Sequence, residues 1–179
     1  MGRVEVREAV AQALANAHIA NVGTVYQARP EIVQEADYEA PNPEYTANRF
    51  AEAASSQNGS SAVLIVNIVS DKRARRTLGG RGGQDTRIHK TVLEVYFACT
   101  AGTAVEAQVD YDAVIDSIVE LVRDNPTLSA PSIVWQAGEF AEGVEHEQAM
   151  PYTDSDGQTI LISGIVRFDT WEWIAGPQG

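Results

Sequence analysis

Ala62-Val63-Leu64-Ile65-Val66-Asn67-Ile68-Val69 decides the fold of this 179-residue chain. It is apolar at almost every position and rich in β-branched side chains, the pattern of a strand covered on both faces. It is also too short to be a membrane span, which needs roughly 20 apolar residues. A second stretch, Thr86 to Cys99, alternates His89, Thr91, Leu93, Val95 and Phe97 with Ile88, Lys90, Val92, Glu94 and Tyr96. That period of two predicts a strand paired with the first. Between them, roughly residues 71–86, lies a hairpin connection long enough to be uncommon inside a compact domain.

Outward from this pair, Val6, Val10, Ala13, Leu14 and Ala17 fall on one helical stripe over residues 4–17. Asn21-Val22-Gly23 is a turn signal, Thr24 to Ala28 is β-prone, and Pro30 ends that segment. Residues 30–45 carry three prolines and five acids without periodicity, which reads as an irregular arm. Asn42-Pro43 is a helix-start signal for a short helix reaching about Ala54. Tyr111 to Asp124 places Tyr111, Val114, Ile115, Ile118, Val119 and Val122 on one face, with Asp110 as the expected cap and Asn125-Pro126 as the stop. A β region follows at Ile133 to Phe140, then an Asp154-Ser155-Asp156-Gly157 turn and a long strand from Gln158 to about Ile174. The expected class is α+β: one domain over residues 1–179, with an antiparallel or mixed sheet packed by two main helices and a long basic hairpin loop.

Charge is unevenly divided. The chain has 13 Lys and Arg against 25 Asp and Glu, a formal charge of −12. Seven of the basic residues, Lys72, Arg73, Arg75, Arg76, Arg81, Arg87 and Lys90, lie in one stretch with a single acid, Asp85, so that stretch carries +6 and the remainder −18. This division is what a functional reading has to explain. One reading is that the basic stretch is an assembly element that pairs with the acidic body of a neighbouring copy. A solvated loop and a nucleic-acid contact are the alternatives. For the last, no aromatic residue lies between Phe50 and Tyr96 to stack on bases, leaving only phosphate pairing.

Catalytic and ligand motifs do not emerge. Thr77-Leu78-Gly79-Gly80-Arg81-Gly82-Gly83 is Gly-rich, but Gln84-Asp85-Thr86 replaces the Lys-Ser/Thr and the helix that a phosphate loop requires. His18, His89 and His146 lack ligand spacing, and each reads as a surface or core residue. Asp154-x-Asp156-Gly157 misses the first acid and the closing glutamate of a calcium loop, with Tyr152 and Ser163 in those places. Cys99 is the only cysteine and sits among apolar neighbours, so a reduced, buried thiol is expected and a disulfide scaffold is excluded. No export signal is read at residues 1–6. The expectation is a soluble protein with no enzymatic activity, cofactor or metal. Trp171 and Trp173 lie two apart on one strand face, suited to core packing or to anchoring an interface.

Taken together, several segments resemble the tail terminator proteins of long-tailed, siphovirus-type bacteriophages. They are Arg3-Val4-Glu5-Val6-Arg7-Glu8-Ala9-Val10, then Val22-Gly23-Thr24-Val25-Tyr26-Gln27-Ala28-Arg29-Pro30, the strand from Ala62 to Ser70, and Thr91-Val92-Leu93-Glu94-Val95-Tyr96 across a long loop. The helix from Asp110 to Asp124 and the ending Phe168-Asp169-Thr170-Trp171-Glu172-Trp173-Ile174 complete the likeness, which is one of order and texture. The resemblance implies a virion protein of the tail-neck junction, assembled in the host cytoplasm. It implies a ring, usually hexameric, that caps the tail tube, stops its polymerisation and receives the head connector, with DNA passing only through the channel. Another neck or head-completion protein fits the same features, and a nucleic-acid-binding module fits them less well.

Overall fold

The computed structural model describes residues 2–30, 43–55, 59–75, 85–138 and 143–174. The elements are α1 (Arg3–Asn16), β1 (Val22–Tyr26), α2 (Pro43–Ser55), β2 (Ser60–Arg75), β3 (Asp85–Cys99), α3 (Ala104–Asp124), β4 (Val134–Ala137), β5 (Val144–Gln148), β6 (Tyr152–Thr153) and β7 (Ile160–Ile174). The fold is α+β around one seven-stranded mixed sheet of order β1-β2-β3-β7-β4, with β5 and β6 also on β7. Among the described residues only β1 and β2 are parallel. β3 is central: β2 lines one flank and β7 the other, from Cys99 opposite Ile160 to Asp85 opposite Ile174. The outer flank of β7 is shared in turn by β6, β5 and β4.

The alternation read in β3 fixes which side of the sheet is which. Leu93, Val95 and Phe97 join Leu64 and Val66 of β2 and Ile162, Val166 and Phe168 of β7 under α1 and α3. Val6, Val10 and Leu14 come from α1, and Tyr111, Ile118 and Val122 from α3. On the opposite side α2 lays Tyr45, Phe50 and Ala53 over Val63, Ile65, Ala98 and Leu161. Residues 62–66 of β2 are therefore buried on both faces, as their unbroken apolar run predicts. A fully buried side chain of this size contributes about 1.5–3 kcal/mol, so the strand pair anchors the whole fold. Glu94 is the polar exception on the α2 side. Its carboxylate accepts hydrogen bonds from Arg29 (2.8 and 3.1 Å), Asn67 (2.6 Å) and Tyr96 (3.1 Å), which satisfies a charge that is almost fully buried.

The structure differs from the sequence reading at several points. The third helix starts at Ala104, not near Tyr111. Thr103 is its cap, accepting from the Glu106 amide while the Glu106 carboxylate accepts from the Thr103 amide, and Asp110 instead accepts from the Ser60 hydroxyl at 2.7 Å. Exposed Val105 and Val109 on the first turns break the apolar stripe, which hid them from a periodicity argument. Thr103→Ala is expected to lower stability by about 1 kcal/mol, measurable by urea denaturation. Of the region read at Ile133 to Phe140, β4 covers Val134 to Ala137, and Phe140 lies outside the described residues. β5 and β6 were not foreseen, because Val144-Glu145-His146-Glu147-Gln148 carries no apolar alternation. The arm read at 30–45 falls mostly at 31–42, outside the described residues. The Asp154 turn is a turn: its carboxylate accepts from the amides of Gln158 and Thr159, both at 3.1 Å, and Gly157 has φ +68°.

Candidate assembly interface

The connection expected over residues 71–86 is shorter than its composition suggests. Pairing of β2 with β3 continues through Asp71 opposite His89, Arg73 opposite Arg87 and Arg75 opposite Asp85. Only residues 76–84, which include Arg76 and Arg81, lie outside the described part. The ladder persists through polar sequence because β7 follows β3 along the same length and because the side chains facing α1 satisfy one another.

At this end of the sheet the apolar core gives way to a buried polar one. His89, wholly buried, sets its Nε2 2.8 Å from a carboxylate oxygen of Glu172, which is 1% exposed. The Arg87 guanidinium lies 3.7 Å from the same oxygen and 3.8 Å from Asp71. Thr91 and Thr170 share a hydrogen bond of 2.9 Å. Arg3, on the first turn of α1, donates from Nε to Asp71 at 2.7 Å and also from Nη2. That hydrogen bond is the main cause holding the Asp71 carboxyl below its usual value of 3.8, with the charges of Arg3 and Arg87 adding to it. A lowered carboxyl pKa means the contact stabilises the folded state above the ordinary value and is lost as pH falls through the folded one. The network thus ties α1, β2, β3 and β7 together at the base of the basic hairpin.

This places the sequence-predicted residues. Lys72 is exposed on β2, and Arg73 and Arg75 lie further along the same strand. Arg87 is turned inward and is engaged with Glu172 and Asp71, so it contributes less to an outer basic surface than the sequence suggests. Lys90 is half-buried on the other face of β3, level with Asp169. Trp171 is half-buried on that same face, edge-on to Trp135 with ring centroids 5.4 Å apart, while Glu172 takes the core-facing position between Trp171 and Trp173. Sequence reasoning did not single out the His89–Glu172 pair. The signal was present, since His89 shares the parity of Leu93, Val95 and Phe97.

The opposite edge of the sheet is acidic. Glu145 and Glu147 are exposed on β5, with Glu147 paired to Arg167 at 2.9 Å, and Asp112, Asp116, Glu120 and Asp124 are exposed on α3 alongside. His146 bridges the two elements. Tyr111, whose phenol is pushed up by burial and stays protonated, donates to Nε2 of His146 at 2.9 Å in the tautomer with hydrogen on Nδ1. Partial burial lowers the His146 pKa below 6.5, against the opposing pull of Asp112 and Asp116. Between that lowered value and 6.5 the unfolded chain binds more protons, so stability should fall as pH drops through this window. An NMR titration midpoint for His146 below 6.5, with a pH dependence of the melting temperature that flattens in His146→Gln, checks this.

Among the described residues no group of three or more His, Cys, Asp or Glu side chains could hold a metal ion. No described helix is long and apolar enough to cross a membrane. A groove of about 610 Å³ between α2 and the β6 turn is lined mainly by apolar atoms of Phe50, Ala51, Ala54, Tyr152 and Leu161, with no catalytic grouping.

The arrangement defines an α+β protein whose mixed sheet has one basic and one acidic flank. No protein-family model matches the chain, and no curated protein matches it. Among solved structures, a chain from the virion of a native gene transfer agent particle is similar, with 15% identity over 93% of this chain and 94% of that one and a TM-score of 0.36.

Proposed function

We propose that this chain is a structural virion protein, a tail terminator of a long-tailed bacteriophage, acting as one domain without enzymatic activity, cofactor or metal. Copies form a ring, hexameric in the resemblance, that seats on the finished tail tube, stops its polymerisation and presents a docking surface for the head connector around the DNA channel. The observation that carries the reading is the charge division, a body of −18 joined to a stretch of +6, with the ends of that stretch built into paired strands. In such a chain the basic stretch of one copy can pair with the acidic body of the next, while the net charge repels nucleic acid, which would let DNA slide past an acidic lining without the counterion release that tightens binding to basic ones. The order of segments quoted above is what supports the tail-terminator reading. Basic positions Lys72, Arg73, Arg75, Arg76, Arg81, Arg87 and Lys90 are the assembly element in this reading, with Trp171 and Trp173 as candidate interface aromatics.

The test is to mix purified protein with tail tubes and measure mass and tube length. Rings at tube ends and arrested elongation are expected. A protein that never associates with tubes overturns the assignment, and density at the head side of the neck in a virion map would instead make it a head-completion protein. Tight DNA binding that weakens steeply with salt would make it a nucleic-acid-binding module.

A further inference from the structure

β1 covers β2 only from Ala62 to Ile65. The chain then bends at Gln27 and Ala28, and Arg29 crosses to Glu94 on the sheet face. Beyond that point β2 runs on over residues 66–75 with β3 on one flank, and among the described residues no strand lies along the other. Such a flank offers a row of backbone donors and acceptors to any strand that reaches it. This one is basic, with Lys72 exposed and Arg73 and Arg75 following in sequence. At the far side of the sheet β5 pairs with β7 on one flank only, and its other flank is likewise open among the described residues. That edge carries exposed Glu145 and Glu147.

We infer that the open flank of β2 in one copy takes β5, Val144–Gln148, of a second copy as its missing neighbour, so that sheets join edge to edge between subunits. Charge decides both the occupant and the symmetry. Two β2 edges would set basic against basic and two β5 edges acidic against acidic, so a two-fold pairing is disfavoured and a head-to-tail one favoured. Head-to-tail contacts close into rings when the rotation between copies permits. Sense agrees as well. β2, β3, β7 and β5 alternate in direction, so copies related by rotation about an axis that preserves strand sense bring β5 antiparallel to the next β2. Through β7 and β3, β5 stands level with residues 64–68 of its own β2. Reaching the middle of the open flank therefore needs an offset of about four residues, about 13 Å, which strand tilt takes up in closed sheets.

This inference rests on the self-assembly in the proposed function and not on its tail role, and the experiment keeps the two apart. Self-association of the full chain, without tail tubes, is measured by sedimentation at fixed salt. Lys72→Glu and Glu145→Lys are each expected to weaken association tenfold or more, since each places like charges face to face. The double variant is expected to recover to within about threefold of wild type. Both side chains are exposed, and unchanged melting temperatures would confirm intact folds. Those amides of residues 66–75 that point away from β3, about every second one along the strand, should exchange quickly in dilute monomer and slow on assembly. Lys72→Ser separates this from a charged edge that serves to prevent pairing, as lysines on edge strands often do. It should weaken association, and strengthened association overturns the inference. So does a wild type that stays monomeric to about 1 mM, at which only contacts weaker than about 4 kcal/mol go unseen. Single variants that associate normally, a double variant that does not recover, or outward-pointing amides of residues 66–75 already protected in the monomer would also overturn it. Association that responds to the charge swap in a protein that ignores tail tubes supports the interface and removes the terminator assignment alone.

Discussion

Gly164→Ala is expected to destabilise the protein by about 3 kcal/mol although it adds a single methyl group. Gly164 lies in β7 opposite Val95 on one side and Gln148 on the other. A Cβ there would stand 1.9 Å from the Tyr111 hydroxyl oxygen, 3.0 Å from the carbonyl oxygen of Glu147 and 3.2 Å from Nε2 of His146. Tyr111 has little freedom to withdraw. It is wholly buried, sits edge-on to Phe97 at 5.8 Å, and is tethered at its far end by His146. The Glu147 carbonyl belongs to a strand already paired with β7, so the backbone is held as well. At a few degrees of melting temperature per kcal/mol for a chain of this size, the drop should be on the order of 10 °C in a thermal scan. Adding Tyr111→Phe removes the nearest clashing atom and should restore roughly half of the loss. A Gly164→Ala protein that melts like wild type would show that the phenol does not lie over β7.

Glu172→Ala should cost about as much, about 3 kcal/mol, for an electrostatic reason. The carboxylate is the acceptor for His89 at 2.8 Å and the nearer anion for Arg87 at 3.7 Å, where the sheet is closed to water. Removing it leaves the buried Nε2 of His89 without its partner, in a ring whose Nδ1 already has none among the described residues. Breaking one member of a buried pair is far more damaging than replacing both with apolar side chains. His89→Leu combined with Glu172→Leu should therefore be markedly more stable than Glu172→Ala, read as the urea midpoint. Equal losses in the two variants would mean that shape, and not charge, governs this part of the core.

Much of the sheet was legible because burial writes itself into periodicity. The run at residues 62–69 and the alternation through Phe97 gave the central strands, and Val6, Val10 and Leu14 gave α1. The long final strand was placed within two residues of its observed start. What failed to show were elements held by something other than apolar contacts. β5 is Val144-Glu145-His146-Glu147-Gln148, a strand made by backbone pairing with β7 and by the Tyr111–His146 bond, neither of which leaves an apolar pattern. The distal part of the hairpin looked like loop because Asp71, Arg87 and His89 are polar, yet these residues are bound to one another across strands. Thr103 and Glu106 form a recognisable capping signature that carries no apolar stripe of its own.

β7 is the last described strand in sequence order, yet it lies inside the sheet, between β3 and the trio of β4, β5 and β6. A ribosome must therefore deliver residues 160–174 before β4, β5 and β6, whose described pairing is with β7, can settle, and until then β3 presents a bare edge from Asp85 to Cys99. Chains cut short before Ile160 lack the strand that joins the two sides of the sheet, and long-range pairings of this kind form late and leave nascent chains exposed to aggregation. Translation itself thus acts as a timer: only a chain that has been read through Ile174 can bring the basic and acidic flanks into one folded body.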